Sequence, residues 1–214
     1  MIQACGFDLP LVLAPRESRQ DERLEKNLLL TPERRAQRLL AKLDREGTAA
    51  ETRFDPYALL QALDRHRVTY VLIGGLARIV QGTEEPTHGL DLTPSLREQN
   101  LERLERALGE VDATRADGRT LSLDPESLAS EPVHELETQH GPLKLVPEPA
   151  GTRGYDDLRR AASREPLGHG VRPQVASVGD LARMLSALAD EERLPQLMQL
   201  RRITELERTR GIER

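Results

Sequence analysis

A short apolar segment that ends at two glycines constrains the fold of this 214-residue chain more than any other feature. Residues 68–73 have the sequence VTYVLI, an uncharged, largely β-branched run that is typical of a buried strand. Gly74-Gly75 ends this strand, and residues 76–81 continue with a helical pattern. Because glycine has no side chain, the backbone amides of such a turn can approach a phosphate closely. The alternative is a tight strand-to-helix turn that binds no ligand.

Alternating strand and helix patterns fill most of the remaining chain. Asp55 and Ser177 are typical helix-capping residues, and Pro56 fits the first position of a helix. Short apolar runs predict strands at 90–92, 133–137, 143–146 and 171–175, and amphipathic runs predict helices at 100–108, 156–162, 181–189 and 197–208. A loop-rich, acidic region is expected up to about Ser130. This order predicts an α+β (α/β-like) fold in which helices flank a small mixed sheet.

Residues 1–52 are predicted to form an N-terminal extension of a main domain at 53–214. The sequence FDLPLVL at 7–13 favours a short strand, although its proline restricts the strand to a sheet edge or a bend. Thr31 is a good N-cap, and it predicts a helix that continues to about Glu46.

This predicted helix carries a narrow apolar stripe formed by Leu39, Leu40 and Leu43. A short amphipathic helix is only marginally stable in isolation, because it has no surface on which to bury its apolar side. The stripe is therefore expected to pack on the main domain or on another subunit. The small polar residues 47–52 predict a linker after it.

Composition excludes several classes of protein. The formal net charge of −5 argues against a broadly basic nucleic-acid binder. The single cysteine, Cys5, excludes an internal disulfide and a cysteine-rich zinc module. No apolar run approaches the roughly 20 residues of a membrane span, and no secretory signal is visible, so we expect a soluble, cytoplasmic protein without a membrane partner.

The segment 70–92, YVLIGGLARIVQGTEEPTHGLDL, combines the glycine turn with a nearby aspartate. Together with NLERLERALGEV, the turn at Gly141, GYDDL and VASVGDLARM, it resembles the nucleotidyltransferase-fold proteins of the AbiEii type. That group is linked to toxin–antitoxin and phage-abortive systems and includes the MenT-type toxins. The resemblance covers roughly residues 56–206, and it implies a nucleotidyltransferase fold with a mixed sheet flanked by helices.

The resemblance also implies an activity, its cofactors and its partners. Proteins of this type transfer a nucleoside monophosphate from a nucleoside triphosphate (NTP) to tRNA, protein or another acceptor, with Mg²⁺ or Mn²⁺ as the cofactor. Gly74 and Gly75 are the implied nucleotide-binding residues of this chain. A cognate antitoxin or regulator is an implied protein partner.

This chain departs from the family pattern at the metal-binding carboxylates. The first implied acid position is Gly89, the second is retained as Asp91, and the third is Lys144. A two-metal site needs several oxygen ligands to balance the charge of the ions, and a single aspartate cannot supply them. We therefore expect a degenerate site that binds metal weakly or not at all at Asp91, and in which Lys144 pairs with Asp91.

Two functional hypotheses remain open from the sequence. The first is a pseudoenzyme that binds nucleotide, RNA or a cognate partner without turnover, and the substitutions at Gly89 and Lys144 favour it. The alternative is an active, metal-dependent nucleotidyltransferase in which Glu84, Glu85 or Glu137 supply the missing ligands.

Overall fold

The fold follows from a computed structural model that describes residues 2–4, 7–9, 16–46, 54–209 and 211. The strands are β1 (Ile2–Ala4), β2 (Phe7–Leu9), β3 (Tyr70–Ile73), β4 (Leu90–Pro94), β5 (Thr114–Arg115), β6 (His134–Glu137), β7 (Leu143–Leu145), β8 (Ser163–Arg164) and β9 (Gln174–Val175). The helices are α1 (Arg16–Leu28), α2 (Pro32–Glu46), α3 (Pro56–Arg65), α4 (Gly74–Gln81), α5 (Glu98–Glu110), α6 (Pro125–Ala129), α7 (Tyr155–Leu158), α8 (Val178–Leu188) and α9 (Leu194–Thr209), and a 3₁₀ turn at Glu191–Arg193 precedes α9.

A seven-stranded mixed sheet organises the molecule, in the order β5-β6-β7-β4-β3-β9-β8. The pairs β4–β7 and β3–β9 are parallel, whereas β3–β4, β5–β6, β6–β7 and β8–β9 are antiparallel. β1 and β2 form a separate antiparallel pair. The predicted α+β fold is therefore confirmed, because the strands predicted at 68–73, 90–92 and 143–146 lie in one sheet flanked by helices.

Helices cover both faces of the central strands. Val71 and Leu72 are neighbours on β3 whose side chains point to opposite faces, and both are fully buried. α4 packs on β3 and β4 and also contacts α2 and α8, while α3 packs on α5. A strand that is buried on both faces requires a continuous apolar run, and this requirement explains why residues 68–73 contain no charge.

Two predicted caps appear at their expected positions. The Asp55 carboxylate accepts hydrogen bonds from the amides of Tyr57 and Ala58, at 3.0 and 3.1 Å, and Pro56 begins α3. Ser177 Oγ accepts a hydrogen bond from the Asp180 amide at 3.1 Å and caps α8. Each cap satisfies amides that would otherwise lack a partner at the start of the helix.

The N-terminal extension contains a helix that the sequence did not predict, α1, in addition to the predicted α2. Leu39 is buried in the main core, as expected for a stripe that packs on the main domain. The side chains of Leu40 and Leu43 and the predicted linker at 47–52 lie outside the described residues.

A buried arginine attaches this extension to the C-terminal end of α4. Arg35 donates hydrogen bonds to the carbonyls of Asn27 (3.1 Å), Leu28 (3.1 Å) and Val80 (2.5 Å). The Asn27 side-chain amide donates to the Gly82 carbonyl at 2.8 Å. These bonds satisfy helix-terminal carbonyls, which the macrodipole makes favourable partners for a cation. The boundary at residue 52 remains a prediction.

Some short elements differ from the prediction. β5 and α6 lie in the region that was expected to be loop-rich, and the strand predicted at 171–175 is reduced to β9. Within the part of the chain that the structure describes, no helix has the length and apolar character needed to cross a bilayer.

Candidate functional site

The glycine turn lies against Asp91, which is on the neighbouring antiparallel strand. Asp91 on β4 is directly opposite Ile73, the last residue of β3, and α4 begins at the next residue, Gly74. Gly74 has φ +69°, and a Cβ built on it would lie 1.7 Å from Asp91 Oδ2. Both the backbone conformation and the close carboxylate therefore require glycine at this position.

The second glycine has a packing role as well. A Cβ on Gly75 would lie 2.6 Å from Thr87 Oγ1. Thr87 belongs to the loop that leads into β4, and sequence reasoning had not selected it. The two glycines are thus explained by the approach of two side chains of this same chain, Asp91 and Thr87.

The Asp91 carboxylate lies beside the amide that the sequence suggested for a phosphate. The backbone N–H of Gly75, in the first turn of α4, acts to lower the pKa of Asp91. The N-cap residue of α4, Ile73, provides no side-chain cap. A carboxylate is favourable there because the N-terminus of a helix carries partial positive charge. A phosphate at this amide would lie close to Asp91 and would be repelled by its ionised form.

Burial raises the pKa of Asp91 above its ordinary value, although several positive groups oppose this shift. The opposing groups are the charges of Lys144, Arg78 and Arg193 and the backbone N–H of Gly75. Desolvation disfavours the ionised carboxylate more than these groups stabilise it.

Asp91, Lys144 and Glu135 form a row across three adjacent strands. Asp91 on β4 is opposite Lys144 on β7, and Lys144 is opposite Glu135 on β6. Residues directly opposite in paired strands project from the same face of the sheet. The expected placement of Asp91 and Lys144 on one face is therefore correct. The expected direct ion pair is wrong, because Lys144 Nζ forms its ion pair with Glu135 instead. Glu135 is more exposed than Asp91, so pairing there requires less desolvation of the ammonium group.

Gly89 lies two residues before Asp91 on the same side of the chain, and its surroundings are tight. A Cβ there would lie 3.1 Å from the backbone carbonyl oxygen of Pro142, so a side chain requires a shift of a few tenths of an ångström in that neighbour. The backbone at Gly89 does not have the positive φ that would require glycine. An acid at this position is therefore compatible with the backbone conformation but must displace its neighbour slightly.

The three glutamates considered as replacement ligands do not lie beside Asp91 as free carboxylates, because one is ion-paired and two are exposed. Glu85 forms a bidentate ion pair with Arg78, with Nε–Oε1 and Nη2–Oε2 distances of 2.7 Å, and both side chains are buried. The Thr83 hydroxyl also donates to Glu85 at 2.9 Å. Glu84 and Glu137 are exposed, and Glu137 pairs with Thr114 two strands away from Asp91.

These residues do not fit the metal that the family resemblance implies. Among residues 2–4, 7–9, 16–46, 54–209 and 211, no group of three or more histidine, cysteine, aspartate or glutamate side chains could hold a metal ion. Asp91 is one carboxylate, close to the glycine turn and opposite a lysine on the neighbouring strand. Magnesium prefers several oxygen ligands in near-octahedral geometry, and this arrangement does not provide them.

The sequence analysis did not select Arg78, Thr87 and Arg193 near the turn, and it considered Glu85 as a metal ligand and not as the partner of Arg78. A signal for the Arg78–Glu85 pair was present, because an arginine in the otherwise apolar helix GGLARIV requires a partner when it is buried. Arg193 lies in the 3₁₀ turn before α9, and its position near Asp91 depends on how the C-terminal helices pack.

No family model and no curated protein sequence matches this chain. Two solved structures are distantly similar to it. The solution structure of the antibiotic-resistance factor ANT(2'')-Ia has a TM-score of 0.48 and 15% identity, covering 71% of this chain and 82% of that chain. The crystal structure of a proposed nucleotidyltransferase from Thermotoga maritima has a TM-score of 0.41 and 17% identity, covering 69% and 88%. Both similarities are too distant to assign this chain to a family.

Proposed function

We propose that this chain is a nucleotidyltransferase-superfamily protein with a degenerate metal site, which acts by binding nucleotide, RNA or a cognate partner. Three features support the proposal. A buried strand turns into a helix at Gly74-Gly75, Asp91 lies beside that turn, and Lys144 lies on the strand parallel to that of Asp91. These are the positions that the AbiEii and MenT resemblance assigns to the glycine turn, the second acid and the third acid.

The row formed by Asp91, Lys144 and Glu135 is the observation that carries the proposal. Replacing a carboxylate with an ammonium changes the local charge by two units, since a negative group is lost and a positive one gained. Lys144 is partly exposed and is paired with Glu135, so the repulsion that its ammonium exerts on a divalent cation is weakened. The position nevertheless supplies no oxygen ligand where an active enzyme supplies a carboxylate.

The ligand classes follow from the resemblance. A nucleotide, a tRNA or a cognate antitoxin or regulator are the partners that we propose to test, and the cytoplasm is the proposed compartment. The Asp91 carboxylate lies against Gly74 and would crowd and repel a phosphate at Gly74 and Gly75, so we expect weak nucleotide binding there.

A label-transfer assay tests the absence of turnover. The full-length protein is incubated with each radiolabelled NTP, Mg²⁺ or Mn²⁺, and bulk tRNA, and label is followed in RNA and in protein. We expect no transfer above that of a heat-inactivated sample. Transfer to tRNA or to the protein itself would contradict the degenerate site and identify an active, metal-dependent nucleotidyltransferase.

A thermal-shift series tests binding separately from chemistry. A ligand that binds the folded state raises the unfolding midpoint, and the rise depends on its concentration. We expect NTP with EDTA and NTP with Mg²⁺ to give the same shift, because the described residues offer the metal no ligand set. A shift that requires Mg²⁺ would contradict this expectation.

A further inference from the structure

A polar cavity of about 290 Å³ lies at the start of β3, at the opposite end of the strand from the glycine turn. Its walls come from the end of α3, the turn that follows α3, and the β8–β9 hairpin. Tyr70, the first residue of β3, lines the cavity, whereas Ile73 at the other end of the strand is opposite Asp91. Three residues of strand separate the two ends by about 10 Å.

Three arginines line this cavity, and none of them has an ion-pair partner among the described residues. Arg67, Arg164 and Arg172 are exposed, and one acid, Asp64, lies among them. The cavity lining therefore has a formal charge of about +2 in a chain whose net charge is −5. Elsewhere in the fold many arginines are paired with acids, including Arg78, Arg115 and Arg202.

A buried tyrosine adds a neutral donor to the cations. Tyr70 is 8% exposed, and its hydroxyl has no hydrogen-bond partner in the part of the chain that is described. Burial raises the pKa of Tyr70, and the charge of Asp64 raises it further while Arg164 opposes the shift. The hydroxyl therefore remains protonated at neutral pH. Buried hydroxyl groups normally have a partner, so a hydroxyl that faces a cavity favours a ligand with acceptor atoms.

The polar groups that line the cavity are mostly hydrogen-bond donors, and they favour a ligand rich in acceptor oxygens. Guanidinium groups and a phenolic hydroxyl all donate hydrogen bonds, and the half-buried Gln174 contributes a side-chain amide to the same wall. The planar guanidinium matches the geometry of phosphate oxygens, and several such groups around one cavity can hold one phosphate from different sides. The volume is close to the lower limit of small-molecule sites.

We infer that this cavity binds the phosphate group of a small phosphorylated ligand, at a site separate from the Asp91 region. The inference does not depend on the proposed function, because neither the glycine turn nor Asp91 contributes to the cavity. The source of the phosphate is left to the experiment, which compares inorganic phosphate, pyrophosphate and adenosine 5′-monophosphate.

Calorimetric titration of the full-length protein tests this inference. Each of the three probes is titrated at constant ionic strength, with chloride as the reference anion. The pocket variant is Arg164→Gln with Arg172→Gln, and the matched control is Arg106→Gln with Arg201→Gln, two exposed arginines outside the cavity. Both variants lose the same net charge, so a difference between them reports position and not overall charge.

We expect saturable binding of at least one probe to the natural protein and to the control. The pocket variant should bind about tenfold more weakly or worse, since one charge-assisted hydrogen bond contributes roughly that factor. Tyr70→Phe should weaken binding severalfold and leave the unfolding midpoint unchanged, because it removes only the hydroxyl.

Three results would overturn the inference. The first is the absence of saturable binding for all three probes. The second is an equal loss of affinity in the pocket and control variants, which would indicate a general charge effect. The third is binding of single-stranded RNA alone, with no affinity for the small phosphates, which would indicate a basic surface for RNA.

Discussion

The two ends of β3 differ in what surrounds their polar groups. At the C-terminal end, the Asp91 carboxylate lies beside the Gly75 amide and near positive groups of this chain. At the N-terminal end, the Tyr70 hydroxyl and the arginines around it have no partner within the described part of the chain. The first end is where a family resemblance predicts chemistry, yet a carboxylate of this chain already lies against the glycine turn. The second end matches no motif, yet its donors are available for a ligand. The family resemblance and the unpaired donors therefore point to different ends of the same strand.

At the C-terminal end of β3, the substitution with the largest expected effect places a side chain on the glycine turn. Gly74→Ala introduces a Cβ that would lie 1.7 Å from Asp91 Oδ2 and forces alanine to adopt φ +69°. We expect a loss of about 4 kcal/mol in the free energy of unfolding, measured by urea denaturation.

A second substitution at Asp91 tests whether the loss in Gly74→Ala comes from the clash, and a glycine in open space provides the control. Gly74→Ala combined with Asp91→Ala removes the contacts with Oδ2 and Cγ but leaves the Cβ of residue 91 at 2.7 Å from the new methyl group, so it should recover only part of the loss. Gly109→Ala adds a methyl group in open space near the end of α5 and should not destabilise the protein. Equal effects of Gly74→Ala and Gly109→Ala would refute the close approach of Asp91.

Breaking the ion pair behind the turn should have the next largest effect. Glu85→Ala leaves the Arg78 guanidinium buried without its bidentate partner. Removing one member of a buried pair typically costs about 3 kcal/mol, because the remaining charge is uncompensated.

An exposed pair at a distance provides the comparison for Glu85→Ala. Asp156→Ala removes the partner of Arg159 on the surface, where both side chains are about half exposed or more. That loss should be below about 1 kcal/mol. If Glu85→Ala and Asp156→Ala were equally mild, the Arg78–Glu85 pair would not be buried as described.

The Asp91 carboxylate makes the free energy of unfolding depend on pH. Its pKa is raised in the folded state, so the folded protein binds more protons than the unfolded protein between the ordinary and the raised pKa. Stability due to this group is therefore full at acidic pH and decreases as the pH rises through the folded pKa.

Asp91→Asn removes this pH dependence while it keeps an acceptor for the Gly75 amide. We expect the variant to be more stable than the natural protein at pH 7.5, by about 1.4 kcal/mol for each unit of the shift, and not more stable at pH 3.5. Glu105→Gln, an exposed change on α5, should differ little from the natural protein at either pH. A destabilised Asp91→Asn protein at pH 7.5 would contradict the dominance of desolvation.

The smallest expected effect comes from two hydroxyl groups, one on β4 and one at the start of β3. Thr93 Oγ1 is fully buried and has no hydrogen-bond partner among the described residues, whereas the Tyr70 hydroxyl faces the cavity. Thr93→Val should raise the free energy of unfolding by about 1 kcal/mol, because it removes an unsatisfied polar atom without changing the shape. Tyr70→Phe should leave stability nearly unchanged. A destabilising Thr93→Val would show that the hydroxyl has a partner.

The sequence predicted the central sheet because β3 is an apolar run buried on both faces and its neighbours alternate buried leucine with a polar residue. Residues 70–73 carry the first pattern, residues 90–92 and 143–145 carry the second, and all three lie at the predicted positions. β5 and β8 are two residues long, so they have no periodicity for a sequence to reveal. α1 is strongly polar, and its burial depends on contacts with α9 that are distant in sequence.

The site was predictable only in part, because its details depend on strand register. The composition of the turn and the substitutions at Gly89 and Lys144 were visible in the sequence. The contact between Asp91 and the Gly75 amide depends on the antiparallel pairing that places Ile73 opposite Asp91. The ion pair of Lys144 with Glu135 depends on the hairpin of β6 and β7. No local pattern encodes either pairing.

We propose that the Asp91 region lacks a metal site because Gly89 and Lys144 occupy the positions at which the family resemblance implies acids, and introducing acids there tests this proposal directly. Magnesium is titrated calorimetrically, with and without NTP, into the natural protein and into Gly89→Asp with Lys144→Asp. The control is Gly89→Asn with Lys144→Asn, which has the same shapes without the added carboxylates. We predict saturable magnesium binding for the restored protein alone, with much weaker binding when either acid is restored singly. Tight magnesium binding by the natural protein, or equal binding by the restored protein and its asparagine control, would contradict the account.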